Sequence, residues 1–87
     1  MQAKAEKLLK TLGEIIKEHR NNLEKSVYKI SAEASIPKTT WRRIEENIHK
    51  DIYFTSIWKI AEGLDIPLEN LIVELKERLG KDFSLID

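Results

Sequence analysis

Pro37 constrains this chain more than any other residue. It stands between two stretches of helical character, SVYKISAEA before it and KTTWRRIEE after it. Proline disfavours the helical region for the residue ahead of it, so no helix passes through Ile36. Its own fixed φ and missing N–H suit the first turn of a new helix. The middle of the chain must therefore fold as two short helices meeting over Ser35-Ile36-Pro37.

The rest of the chain also reads as helix. From Ala5 to Leu23 the apolar residues Ala5, Leu8, Leu9, Leu12, Ile15, Ile16 and Leu23 recur at steps of three and four, which predicts one helix with a single buried stripe. Gly13 weakens that helix by about 1 kcal/mol relative to Ala without ending it. Asn21-Asn22 supply a turn, and Ser26 is the expected N-cap of a second helix with Val27, Ile30 and Ala34 inward. The third helix runs from Pro37 to about Glu46 with Trp41 and Ile44 facing the core and Thr40 a candidate beside them, and Asn47 to Tyr53 forms a loop. Thr55 or Ser56 is the expected cap of a fourth helix, which buries Ile57, Ile60, Ala61 and Leu64 and stops near Gly63. Pro67 opens a fifth helix with Leu68, Leu71, Ile72, Leu75 and Leu79 on one stripe, closed by Gly80. The fold class is thus all-α, a compact five-helix bundle, with residues 1–80 as a single domain and 81–87 as a tail.

Composition bounds the function. At 87 residues, 41% hydrophobic and 34% charged, the chain can bury one small core. With no cysteine there is neither a disulfide framework nor a thiolate metal site. No apolar run approaches the roughly 20 residues that span a bilayer. The opening MQAKAEKLLKTLGEIIKEHR is charged every few residues, unlike a signal peptide, so a cytoplasmic protein with no membrane partner is expected. Catalysis is not expected either. His19 and His49 have no nucleophile or carboxylate at useful spacing, and Gly13, Gly63 and Gly80 make no phosphate-cradling loop. No cofactor, metal or small-molecule substrate is implied. The net charge of zero conceals a split: residues 1–50 carry eleven bases and seven acids, a net +4, and the remainder four bases and eight acids, a net −4. A basic face in the first half suits a polyanion, although a solvated helix surface gives the same count.

In SVYKISAEASIPKTTWRRIEE the apolar residues Ile30, Ala34, Ile36, Trp41 and Ile44 let the helix after Pro37 pack steeply across the helix before it, a helix-turn-helix arrangement. With Trp41 and Ile44 inward, Lys38, Thr39, Arg42 and Arg43 project outward from the first two turns, as on a helix presented to the DNA major groove.

From Leu12 to Ile72 the chain resembles the lambda-repressor-like (XRE/Cro-type) family of helix-turn-helix DNA-binding domains. The resemblance rests on LGEIIKEHR, IPKTTWRRIEEN and IWKIAEGLDIPLENL. It implies that Arg20, ending the first helix, and Glu45, ending the third, form a structural ion pair. It places the base-reading positions on Lys38, Thr39 and Arg43, with Arg42 beside them as a second base contact or a phosphate clamp. Arginine bonds bidentately to guanine O6 and N7, lysine donates to the same edge, and a threonine methyl packs on thymine. Thr40 is expected to touch either the DNA backbone or Trp41, and His49 and Lys50 are candidate phosphate contacts. The family's usual polar residue is Val27 here, which removes a phosphate contact. Its usual glycine at the sharp turn is Ser35, which then adopts a left-handed conformation at a cost of about 1 kcal/mol.

The function implied is a sequence-specific transcriptional regulator that binds double-stranded DNA as a homodimer on a palindrome, of the phage-repressor or restriction–modification-controller type. The alternative is a helix-turn-helix protein-interaction module or antitoxin with weak or no DNA binding, which would need a partner protein. Candidate dimer-interface residues are Trp58, Leu75, Leu79 and Phe83. Trp58 falls beside the inward set of the fourth helix and is expected against the fifth helix, the Phe83 tail or a partner subunit. The stripe of the fifth helix serves either association or packing on its own core.

Overall fold

A computed structural model describes residues 2–48 and 51–86. Five helices follow in chain order: α1 (Gln2–Asn22), α2 (Val27–Glu33), α3 (Lys38–Glu45), α4 (Phe54–Gly63) and α5 (Leu68–Leu79). Among the described residues there is no strand. The radius of gyration is 12.5 Å, close to the roughly 12 Å of a folded chain this long.

The core forms where the apolar stripes of all five helices converge. Leu12, Ile15 and Ile16 of α1, Ile30 of α2, Trp41 and Ile44 of α3, Ile60 and Ala61 of α4, and Leu71 and Leu75 of α5 are buried together, joined by Ala34, Ile36 and Leu64 from the turns. α1 packs on α3 and α5, α2 on α3 and α4, and α4 on α5. Two glycines set how closely this assembly closes. A methyl on Gly13 would overlap the Ile44 carbonyl oxygen, and one on Gly63 would come within 2.6 Å of the Ala34 β-carbon. The propensity lost at Gly13 is therefore what lets α1 lie directly against the end of α3.

α1, α2, α3 and α4 all end in one way. Glu24, Ser35, Asn47 and Asp65 each follow a helix with φ between 57° and 60°. In each case this residue and the next donate their N–H groups back into the last turn. Ser35 bonds the Ala32 carbonyl and Ile36 the Ser31 carbonyl, and Asp65 and Ile66 likewise bond Glu62 and Ala61. This is the Schellman pattern, usually built on glycine, here built four times without one. At Ile36 and Ile66 the residue after the left-handed position packs on or into the core, which anchors the turn and offsets the conformational cost.

The helix starts depart from expectation in small ways. Ser26 caps α2, its hydroxyl accepting from the Lys29 N–H at 3.1 Å. Pro37 and Pro67 stand at the N-cap positions of α3 and α5 rather than inside them. α4 is a correction: it is capped by neither Thr55 nor Ser56 but starts at Phe54, with Tyr53 at the N-cap and no side-chain cap bond. The Tyr53 carbonyl accepts from the Ser56 and Ile57 N–H groups at 3.0 and 3.1 Å, so the first turn closes ahead of both hydroxyls.

α5 brings a second correction. Leu75 is 7% exposed and belongs to the core cluster, so it is not a free contact surface. The stripe packs on α1 and α4, its end at Leu75 and Leu79 lining a groove with Leu8, Phe83, Leu85 and Ile86, and an ion-pair cluster borders the seam with α1. Arg78 donates to both Glu18 oxygens at 3.1 and 2.6 Å and to Glu74 at 2.9 Å, and Glu74 also meets His19 Nε2 at 2.8 Å.

Candidate nucleic-acid interface

The orientation of α3 is fixed by one fully buried indole. Trp41 is fully buried in the core, and its Nε1–H donates to Glu45 Oε2 at 2.6 Å, one turn further along the same helix. The same carboxylate accepts from Arg20 Nε at 2.6 Å and from Arg20 Nη2 at 2.9 Å. Arg20 Nη1 goes on to the Lys25 carbonyl at 2.8 Å, at the entrance to α2. One side-chain network thus ties the end of α1, the start of α2 and the body of α3. The hydrogen bonds that Arg20 donates to Glu45 raise the Arg20 pKa, outweighing the opposing effect of burial. The ion pair implied by the family resemblance is present, with side chains only 13% and 5% exposed.

With that side of α3 held, Lys38, Thr39, Arg42 and Arg43 are all exposed. No acidic residue lies between Lys38 and Ile44, and Glu46 follows at the C-cap. The Lys38 ammonium stands 5.9 Å from the centroid of the Tyr28 ring, which α2 presents on the same side. Tyr28 was not among the expected site residues; its place beside Val27 near the start of α2 was the available signal.

The guanidinium charge on this face is uncommitted. Arg20 is spent on Glu45, Arg78 on Glu18 and Glu74, and Lys25 on Glu33 at 2.6 Å. The side chains of Arg42 and Arg43 have no ion-pair or hydrogen-bond partner among the described residues. Two adjacent guanidinium groups in water, on a helix held from behind, can engage phosphate or the acceptor edge of a base.

The other expected residues distribute differently. Thr40 is half-buried and turns aside into a groove with Ile36, Pro37, Ile52 and Tyr53, away from the arginines. His49 and Lys50 lie outside the described residues. Leu79 is half-buried at the edge of the core, and Phe83 is half-buried with the Lys7 ammonium 5.9 Å from its centroid, so the tail folds back on the start of α1. Trp58 is 51% exposed. Its ring meets Phe54 edge-on, with centroids 6.3 Å apart and planes at 78°, and its Nε1–H reaches Glu62 at 3.2 Å. Tyr53 and Phe54 extend this exposed aromatic surface, which sequence reasoning missed. The spacing of Phe54 and Trp58, one helical turn apart, was the signal for it.

Among the described residues no three His, Asp or Glu side chains gather that could hold a metal, and no helix is long and apolar enough to cross a membrane. Comparison with family models, with curated proteins and with solved structures finds no match.

Proposed function

We propose that this chain is a sequence-specific DNA-binding transcriptional regulator acting as a homodimer on a palindromic operator. In this reading α2 and α3 form a helix-turn-helix of the lambda-repressor-like kind. The observation that carries it is the pair Arg42 and Arg43, exposed and unengaged among the described residues, on a helix whose rotation is fixed by the buried Trp41–Glu45–Arg20 network. Arg43 reads guanine through O6 and N7, Lys38 and Thr39 contact neighbouring base edges, and Arg42 adds either a second base contact or a phosphate clamp. His49 and Lys50 add phosphate contacts from the loop after α3. One helix of this length reads few base pairs, and a net charge of zero gives little non-specific attraction. Two copies on half-sites about 34–36 Å apart remedy both deficits.

The second reading, a protein-interaction module with little affinity for DNA, draws on Val27, half-buried where a phosphate-reaching side chain would help, and on the exposed aromatics of α4. Selection of bound duplexes from a random pool, followed by a salt titration on the winner, separates the two. The regulator yields a palindromic consensus and a log–log salt slope corresponding to about four or more phosphates per subunit. No enriched sequence, with a slope near zero, overturns it in favour of the module.

A further inference from the structure

We infer that Tyr28 carries the nucleic-acid face from α3 onto α2: its phenol bonds a backbone phosphate, and its ring holds Lys38 toward the base edges. The inference rests on the DNA-binding reading above and adds to it a residue that both contacts the duplex and positions another.

The start of α2 separates three adjacent side chains by role. The Ser26 hydroxyl accepts from the Lys29 N–H, and Val27 packs against the core. A helix turns about 100° per residue, so with Val27 held inward Tyr28 is carried out into water, where it is 71% exposed. Its hydroxyl has no hydrogen-bond partner among the described residues. So exposed a ring adds little to the core, but an apolar body with a polar tip suits a surface that meets charge at its outer edge.

Lys38 is the second observation. It is the first residue of α3, where the opening N–H groups are unpaired and the helix dipole is positive. A cation is disfavoured there, and Pro37 at the N-cap supplies no side-chain acceptor to offset it. No carboxylate pairs with this ammonium among the described residues. What faces it is the Tyr28 ring, whose centroid lies 5.9 Å away. The π-face attracts the cation, and more strongly once a duplex excludes water from the contact. A lysine in water loses rotamer freedom when it binds, and a ring that already limits its directions lowers that loss.

The two roles belong together. α2 packs on α3, so the phenol stands beside a base-reading residue and not at a remote point of the surface. Lysine alone discriminates weakly, being a point charge on a flexible stem; confined against a ring, it addresses one base pair. The hydroxyl is neutral, so its bond to phosphate releases no counterion of its own. Each role therefore leaves a separate signature.

Fluorescence anisotropy of the full chain tests this on the duplex selected from the random pool and on a panel with each of its base pairs changed in turn. The variants are Tyr28→Phe, Tyr28→Leu, Lys38→Ala and the double change of Tyr28→Leu with Lys38→Ala. All should keep the wild-type helical circular dichroism, since both side chains lie outside the core. Tyr28→Phe retains the ring and loses the hydroxyl, so binding should weaken about tenfold on every duplex alike, with an unchanged salt slope. Tyr28→Leu loses both, so binding should weaken further and the preference should flatten at the base pair that Lys38→Ala identifies. Once Lys38 is alanine, Tyr28→Leu should have no more effect than Tyr28→Phe has in wild type, because no cation remains to be held.

Tyr28 variants that bind the whole panel as wild type does overturn the inference and leave the regulator reading intact. A Tyr28→Leu chain with full preference at the Lys38 base pair overturns the positioning of Lys38, and a Tyr28→Phe chain of wild-type affinity overturns the phosphate contact. A wild-type chain that selects no duplex removes the DNA-binding reading and this inference with it, a result visible before any variant is made.

Discussion

Arg20 and Arg43 carry the same guanidinium group into opposite circumstances. Arg20 ends α1 in a nearly closed site and spends its donors on both Glu45 oxygens and the Lys25 carbonyl. Arg43 lies on α3 two residues before that glutamate, in water, with no side-chain partner among the described residues. The difference arises from rotation about one helix axis. Trp41 and Glu45 are one turn apart and turn inward together, which forces Arg42 and Arg43 outward. The buried arginine is thus a condition for the exposed pair having a defined direction, and each of the following changes separates the two roles.

Glu45→Ala should have the largest effect. It leaves Arg20 nearly buried without its carboxylate and strips the Trp41 indole of its acceptor, so a loss of about 3–5 kcal/mol in urea-denaturation stability is expected. Arg43→Ala in the same assay should stay within about 0.5 kcal/mol of wild type. Equal losses for the two would erase the distinction between a positioning and a recognising arginine.

Gly13→Ala acts on the seat of α3 rather than on its network. At an ordinary helix position this change stabilises by up to about 1 kcal/mol. Here the added methyl meets the Ile44 carbonyl, and a net loss of about 1–3 kcal/mol is expected in thermal or urea melts. A gain in stability would mean that α1 and α3 are not so closely apposed.

Arg43→Ala should instead appear in binding, costing about 1–3 kcal/mol on the selected duplex and relaxing preference at one base pair, while Lys50→Ala weakens all sequences alike. Titration of a duplex panel by fluorescence anisotropy reads both. Losses that are sequence-blind for both residues remove Arg43 from base reading.

The sequence carried most of the architecture because its signals were mutually consistent. Pro37, Pro67 and Gly80 punctuate the chain where the helices begin and end, and Trp41 and Ile44 leave one face of α3 for the core. Ser35 adopts the left-handed φ of 58° that the family resemblance implies. What was not legible depended on competition between interactions. Thr55 and Ser56 are better caps than Tyr53, yet the first turn of α4 closes on the Tyr53 carbonyl. The α5 stripe fits self-packing or association equally well as a pattern, and only the position of α1 decides that Leu75 is core. Glu45 at one turn from Trp41 was visible as a spacing, but that it accepts the indole proton as well as Arg20 depends on how closely α1 approaches.

The smallest effect belongs to Arg78, which shares the carboxylate pairing of Arg20 but not its burial. Its side chain is 35% exposed and that of its partner Glu18 56%, so solvent screens the pair. The Arg78 hydrogen bonds nevertheless hold the Glu18 carboxyl below its ordinary value of 4.5. A carboxyl whose pKa is lower in the folded than in the unfolded chain contributes stability that is present above the unfolded value and lost as pH falls through the folded one. Arg78→Ala should therefore lower the urea midpoint slightly at neutral pH, and the gap to wild type should close as pH drops below 4.5. Adding salt to about 1 M at neutral pH, where the screening length is about 3 Å, should narrow the same gap. The deficit of Glu45→Ala should persist in that salt, because its partners are shielded from solvent. A gap for Arg78→Ala that survives both acid and salt would place α1 and α5 in a drier seam than their exposure indicates.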